Sequence, residues 1–117
     1  MAKRRVFILY SHPLFAKGVE SLLHQEADLE VAGLSLDQGD SSEAVKAFGP
    51  DVVIIDSESQ VVAQLVPTLL QQHPGLKVVS MNPGENEVTI HYRQQERVTT
   101  IGDLVEILRE GRSPGKG

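Results

Sequence analysis

Pro50-Asp51-Val52-Val53-Ile54-Ile55-Asp56 is the stretch that decides the fold. A run of β-branched apolar residues, bounded by Pro50-Asp51 on one side and a carboxylate on the other, suits a strand covered on both faces. Such strands belong to the middle of a parallel sheet. In open parallel sheets the C-terminal ends of the strands line the functional crevice. Asp56 is therefore a candidate working residue, and its worth depends on which helpers the rest of the chain supplies.

Working outward, Arg5 to Tyr10 (RVFILY) reads as a first buried strand. Ser11-His12-Pro13 turns into a helix, with proline near the first helical position, where its missing N–H costs nothing. Phe15, Val19 and Leu22 follow at helical spacing, and Gly18 is placed to let that helix approach the sheet closely. Leu29 to Leu36 reads as a second strand. Asp40-Ser41-Ser42-Glu43 carries N-cap chemistry ahead of a short helix with Ala44, Val45 and Phe48 as its apolar face. Val61 to Gln72 reads as a third helix and Leu76 to Met81 (LKVVSM) as a fourth strand. A last helix starts near Thr100, where Thr100 and Asp103 resemble a capping box and Ile101, Leu104, Val105 and Leu108 share one face. Strands alternating with helices at this spacing predict an α/β fold with a doubly wound parallel sheet.

One segment breaks the alternation. A parallel return needs a crossover of a dozen or more residues, generally a helix. Only Asn82-Pro83-Gly84-Glu85-Asn86 separates Met81 from the next strand-like run, Glu87 to Tyr92. Five residues reach at most about 17 Å, and Pro-Gly is turn chemistry. Residues 87–92 are thus predicted to run antiparallel to the fourth strand, with a turn at Arg93 to Glu96 and a return at Arg97 to Thr99. A hairpin at about 87–99 replaces the fourth crossover helix. Val88, Ile90 and Tyr92 form its apolar side, and Thr89, His91 and Arg93 face the other way. Loss of a covering helix is expected to expose Val79, Met81 and the flank of the third helix. Val88, Ile90 and Tyr92 are accordingly read as an interaction surface for a protein partner or a homodimer mate. The hairpin edge offers strand addition as a second route.

Composition bounds the rest. The chain has 117 residues, 40% apolar and 23% charged, which suits one globular domain. That domain is drawn at 1–111, with 112–117 as a disordered tail. A net charge of −5 argues against a general nucleic-acid surface. Cysteine is absent, which removes disulfides and thiolate metal sites. No stretch approaches the length of a membrane span and no signal-peptide pattern opens the chain, so no membrane association and a cytoplasmic location are expected. His12, His24, His73 and His91 share no metal-ligand spacing. No glycine-rich phosphate loop follows the first strand. With no nucleophile–base pair or metal set, neither enzymatic activity nor a cofactor is expected.

RVFILYSHPLFAKGVESLL, PDVVIID and HPGLKVV together resemble a response-regulator receiver domain, the CheY-like kind that usually precedes a LuxR-type DNA-binding domain. The resemblance covers roughly residues 4–82 and the last helix, and His12-Pro13-Leu14-Phe15 is fairly specific to that subgroup. It implies that Asp56 holds the phosphoacceptor position. Receivers neutralise the transferred phosphoryl group with Mg²⁺, held by an acidic pair after the first strand, and with a lysine on the fifth strand. The acidic pair falls on Tyr10 and Ser11, neither a carboxylate. The hydroxyl that reports phosphorylation falls on Asn82. The lysine position falls on Arg93 or Arg97, according to whether strand pattern or distance from the last helix is counted. The Met-Pro-Gly loop after the acceptor is replaced by Ser57-Glu58-Ser59-Gln60. Mg²⁺ normally needs one or two carboxylates besides phosphate oxygens, so the resemblance implies a degenerate receiver that signals by protein contact without aspartyl phosphorylation.

Two alternatives stay open at this point. Asp56 could still accept phosphate in a two-component relay, with Mg²⁺ as its cofactor. The strand ends at Tyr10, Ser11, Asp56 and Asn82 could instead line a small-ligand site. A purely structural role for Asp56 is also available, as a cap on the following helix through the Ser57 and Ser59 amides.

Overall fold

In the computed structural model, which describes residues 4–10, 12–36, 41–56, 59–82, 85, 87–92 and 95–110, the stretch Val52–Asp56 is a strand buried along its whole length. In chain order the elements are β1 (Arg4–Tyr10), α1 (Pro13–His24), β2 (Leu29–Leu36), α2 (Ser41–Phe48), β3 (Val52–Asp56), α3 (Ser59–Gln72), β4 (Lys77–Asn82), β5 (Glu87–Tyr92) and β6 (Gln95–Thr100). A 3₁₀ turn (Ile101–Asp103) then leads into α4 (Leu104–Glu110). The predicted tail 112–117 lies outside the described residues, as do residues 37–40.

The sheet order is β2-β1-β3-β4-β5-β6. β1 pairs parallel with β2 and β3, and β3 pairs parallel with β4. β5 then turns back antiparallel to β4, in the register Val79↔Ile90 and Asn82↔Glu87. β6 returns antiparallel to β5, from Glu87↔Thr100 to Tyr92↔Gln95. The fold is mixed α/β around a mostly parallel central sheet, with short connections and few helices. The connection across residues 83–86 is too short for a parallel return, and the chain takes the antiparallel course that this shortness demands.

Period-two alternation sends the apolar strand residues to two separate cores. On one face, Ile8, Ile54 and Ile90 pack with Ala16, Val19 and Leu23 of α1 and with Leu104, Ile107 and Leu108 of α4. On the other, Phe7, Val53, Ile55 and Val78 pack with Val45 of α2 and with Val66 and Leu69 of α3. Helices therefore cover both faces of the parallel strands.

The hairpin breaks this symmetry in a different way from the one its sequence suggests. Val79 and Met81 are buried, because the last helix packs over their face. Val88, Ile90 and Tyr92 share that face and are buried with them, so they form core and not an interaction surface. The reason is that α4 covers the hairpin's apolar side. Missing cover belongs to the opposite face, where the register aligns Ser80, Thr89 and Val98 across three strands. Of these, Val98 is 58% exposed.

The end of the sheet away from Asp56 is fixed by hydrogen bonds of Arg5 and Asp51. Arg5 N–H donates to the Asp51 carboxylate at 2.9 Å, and Asp51 N–H returns to the Arg5 carbonyl at 2.8 Å. The Arg5 guanidinium donates to the last carbonyl of α2, at Phe48, at 2.8 Å. Gly49 closes that helix with φ of 56°, a conformation glycine adopts without strain. Gly18 does not serve the close approach expected of it. It is solvent-exposed, and an added Cβ would meet nothing within 4 Å. Gly18→Ala is therefore expected to stabilise the protein by about 0.5–1 kcal/mol. Gly49→Ala is expected to destabilise it by about 1 kcal/mol. Urea denaturation followed by far-UV circular dichroism reads both, and equal signs would contradict the two environments.

Candidate functional site

Parallel pairing brings the C-terminal ends of β1, β3 and β4 to one edge of the sheet. Tyr10 lies opposite Asp56 in the register of β1 and β3, and β4 ends nearby at Asn82. The strand run that makes β3 buried also buries its last residue, and the Asp56 side chain is only 2% exposed. A carboxylate in such a place requires hydrogen-bond partners.

Its partner comes from the β1–α1 connection. His12 is the N-cap of α1, with extended backbone, and its own side chain makes no capping bond. Pro13 follows at the first helical position, and the first turn of α1 holds no acidic residue. Asp56 fills that role from another element. His12 N–H donates to Asp56 Oδ2 at 3.3 Å, and His12 Nδ1 lies 3.5 Å from the same oxygen. A carboxylate there also interacts favourably with the positive end of the helix dipole. The described bond thus joins β3 to the helix three elements earlier. Ser57 lies outside the described residues. The His12 ring is 71% exposed, so the carboxylate is sealed on one side by a residue that meets solvent.

The other expected positions separate. Tyr10 is half-buried and packs against the core beneath α1, where an acidic side chain would have to be desolvated. Ser11 and Arg93 lie outside the described residues. Asn82 is exposed at the end of β4, paired in register with Glu87. Arg97 is corrected as a substitute for the phosphate-binding lysine. It sits on β6, three strands from β3, and its register runs through Ile90 and Val79 to Ile54, two residues short of Asp56. Three strand spacings are about 14 Å, beyond the reach of one side chain. Among the described residues no cluster of three or more His, Asp or Glu side chains could hold a metal ion.

Two polar features escape a reading of the sequence. Lys77 opens β4 and is 2% exposed, with Nζ donating to the Ile107 carbonyl of α4 at 3.3 Å and lying 5.9 Å from the Tyr92 ring centroid. Ser80 Oγ and His91 Nε2 are 3.0 Å apart on neighbouring strands, and the Ser80 hydroxyl also lies 3.5 Å from the Thr89 carbonyl. The signal for the second was present as polar residues at period two on the side of β5 away from Val88 and Ile90.

No protein-family model matches the chain. Over 87 residues, 73% of its length, it is 30% identical to the transcriptional regulatory protein DegU of Brevibacillus brevis. The similarity is to part of a transcriptional regulatory protein. The chain spans 37% of the length of that relative. Among the described residues no helix is long and apolar enough to cross a membrane.

Proposed function

We propose that this chain is an atypical receiver-like signalling module, a non-enzymatic cytoplasmic protein that works by protein–protein contact or homodimerisation without Mg²⁺-dependent aspartyl phosphorylation. The observation that carries the reading is the Asp56 carboxylate, buried and engaged with the N-terminus of α1 through His12. A phosphoacceptor must present an oxygen to the incoming phosphoryl group and share a cation with further carboxylates. Here the acid-pair positions hold a half-buried aromatic residue packed against the core and a serine. The residues present do not fit Mg²⁺. Arginine at 97 is too far to replace the lysine. Asp56 instead joins β3 to α1, a structural use of a signalling position.

Amide NMR of the full chain during titration with Mg²⁺, then with beryllium fluoride, tests this reading. The expected result is no saturable shift at Asp56, His12 or Asn82 at millimolar Mg²⁺. Saturable shifts confined to those residues would restore the phosphoacceptor reading. A rise in melting temperature with one compound of a metabolite screen, and no response to beryllium fluoride, would favour a small-ligand sensor at the same edge.

A further inference from the structure

We propose that β6 is a self-pairing edge, through which two copies of this chain associate about a two-fold axis centred on Val98. The proposal rests on the protein-contact reading above and names the partner. An edge strand presents a row of unpaired N–H and C=O groups, and folded proteins usually blunt such edges with bulges, proline, charge or cover. The sheet has two edges, β2 and β6. β2 is blunted. Its register against β1 shifts between Val6↔Val31 and Phe7↔Gly33, which leaves an extra residue, Ala32, in the edge strand. Such a bulge bends a strand and increases its twist. Gly33 follows at once, where a Cβ would lie 3.0 Å from the rings of both Phe7 and Phe48.

β6 carries charge at Glu96 and Arg97 but, among the described residues, has neither a bulge nor a proline. It pairs with β5 in unbroken register along all six of its residues. Its sequence, Gln95-Glu96-Arg97-Val98-Thr99-Thr100, contains neither proline nor glycine and ends in three β-branched residues. Val98, at its middle, is a β-branched side chain that is 58% exposed on the face away from α4.

Symmetry selects the register. A two-fold axis normal to the sheet joins two β6 strands antiparallel and keeps matching faces together. Each residue is then paired with its mirror position about the centre. An axis on Arg97 places two arginines opposite each other, and like charges directly opposite are destabilising. An axis on Val98 places valine against valine and Arg97 against Thr99, so each exposed valine is covered by its counterpart. Interfaces of this kind are isologous and close at the dimer. A strand pair of this length buries less than the roughly 1,200–2,000 Å² of a stable protein complex. Association is therefore reversible and dependent on concentration.

Sedimentation equilibrium of the full chain, from micromolar to millimolar, reads the dimer directly. Val98→Lys is expected to weaken it at least tenfold, since two ammonium groups then meet on the axis. Leu14→Lys, on the exposed start of α1, is expected to leave it unchanged. Both positions are exposed, and a thermal melt confirms folding before association is compared. A chain that stays monomeric at millimolar concentration overturns the proposal. So does a dimer that survives Val98→Lys but is lost with Leu14→Lys. A monomer that is also silent to beryllium fluoride removes this interface and leaves the protein-contact reading standing. A Val98-dependent dimer that shows saturable shifts at Asp56 keeps the interface and removes the phosphorylation-free reading.

Discussion

Ile90→Asp is expected to unfold the protein instead of releasing a partner. Ile90 is completely buried, in register with Val79 on one side and Arg97 on the other, beneath the apolar face of α4. A carboxylate at that position loses its hydration, gains no designed partner and removes the packing of a large aliphatic side chain. The two effects together cost at least about 4 kcal/mol. A domain of this size has about 5–15 kcal/mol in total, so little or no cooperative transition should remain in a urea titration. Val98→Lys, on the same hairpin but the opposite face, should stay within about 0.5 kcal/mol of the parent. The contrast places the core on the α4 side and the proposed pairing edge on the exposed side of β6. An Ile90→Asp protein that melts like the parent but loses self-association would return Ile90 to the surface.

This contrast also marks where the sequence stops being legible. Val52 to Asp56 announces a central strand because burial on both faces demands an unbroken apolar run, and such runs are visible in one dimension. The hairpin is equally legible, since the length of the connection 83–86 is a geometric limit. Alternation in Glu87–Tyr92 shows that Val88, Ile90 and Tyr92 share a face, but it does not say which face α4 will cover. That is settled by the path of the last helix, a tertiary fact. The same holds for Asp56. Its position at a strand end can be read from the chain, whereas its partner, His12, is 44 residues away and bonds through a backbone N–H that carries no sequence signature. Gly18 misleads for a related reason, because a glycine between apolar helix positions fits a close approach and an open surface equally well.

Lys77 supplies the second large effect, and its two substitutions should diverge. In the run LKVVSM it looks like an ordinary charged residue at the start of a strand. Alternation with Val79 instead points it into the core under α4, where Nζ meets the Ile107 carbonyl and the face of Tyr92. Helices leave their last carbonyls without internal partners, and a cation at that end also suits the helix dipole. Lys77→Ala removes the donor and the packed methylenes together. Each buried methylene contributes about 0.8 kcal/mol, and the vacated space adds a cavity cost, so a loss of about 2–4 kcal/mol is expected. Lys77→Met keeps most of the volume and removes a charge whose desolvation is itself costly. It should change stability by no more than about 1.5 kcal/mol, in either direction. Hydrogen exchange separates the tether from simple packing. α4 is seven residues long, too short to hold its shape without tertiary contacts. In Lys77→Ala the amides of Leu104–Glu110 should lose protection before those of Val52–Asp56. If both segments lose protection together, Lys77 acts as core filling and does not selectively hold the last helix. If α4 alone is released in Lys77→Met as well, the ammonium–carbonyl bond outweighs the packing, and a buried charge is what fastens the final helix to the sheet.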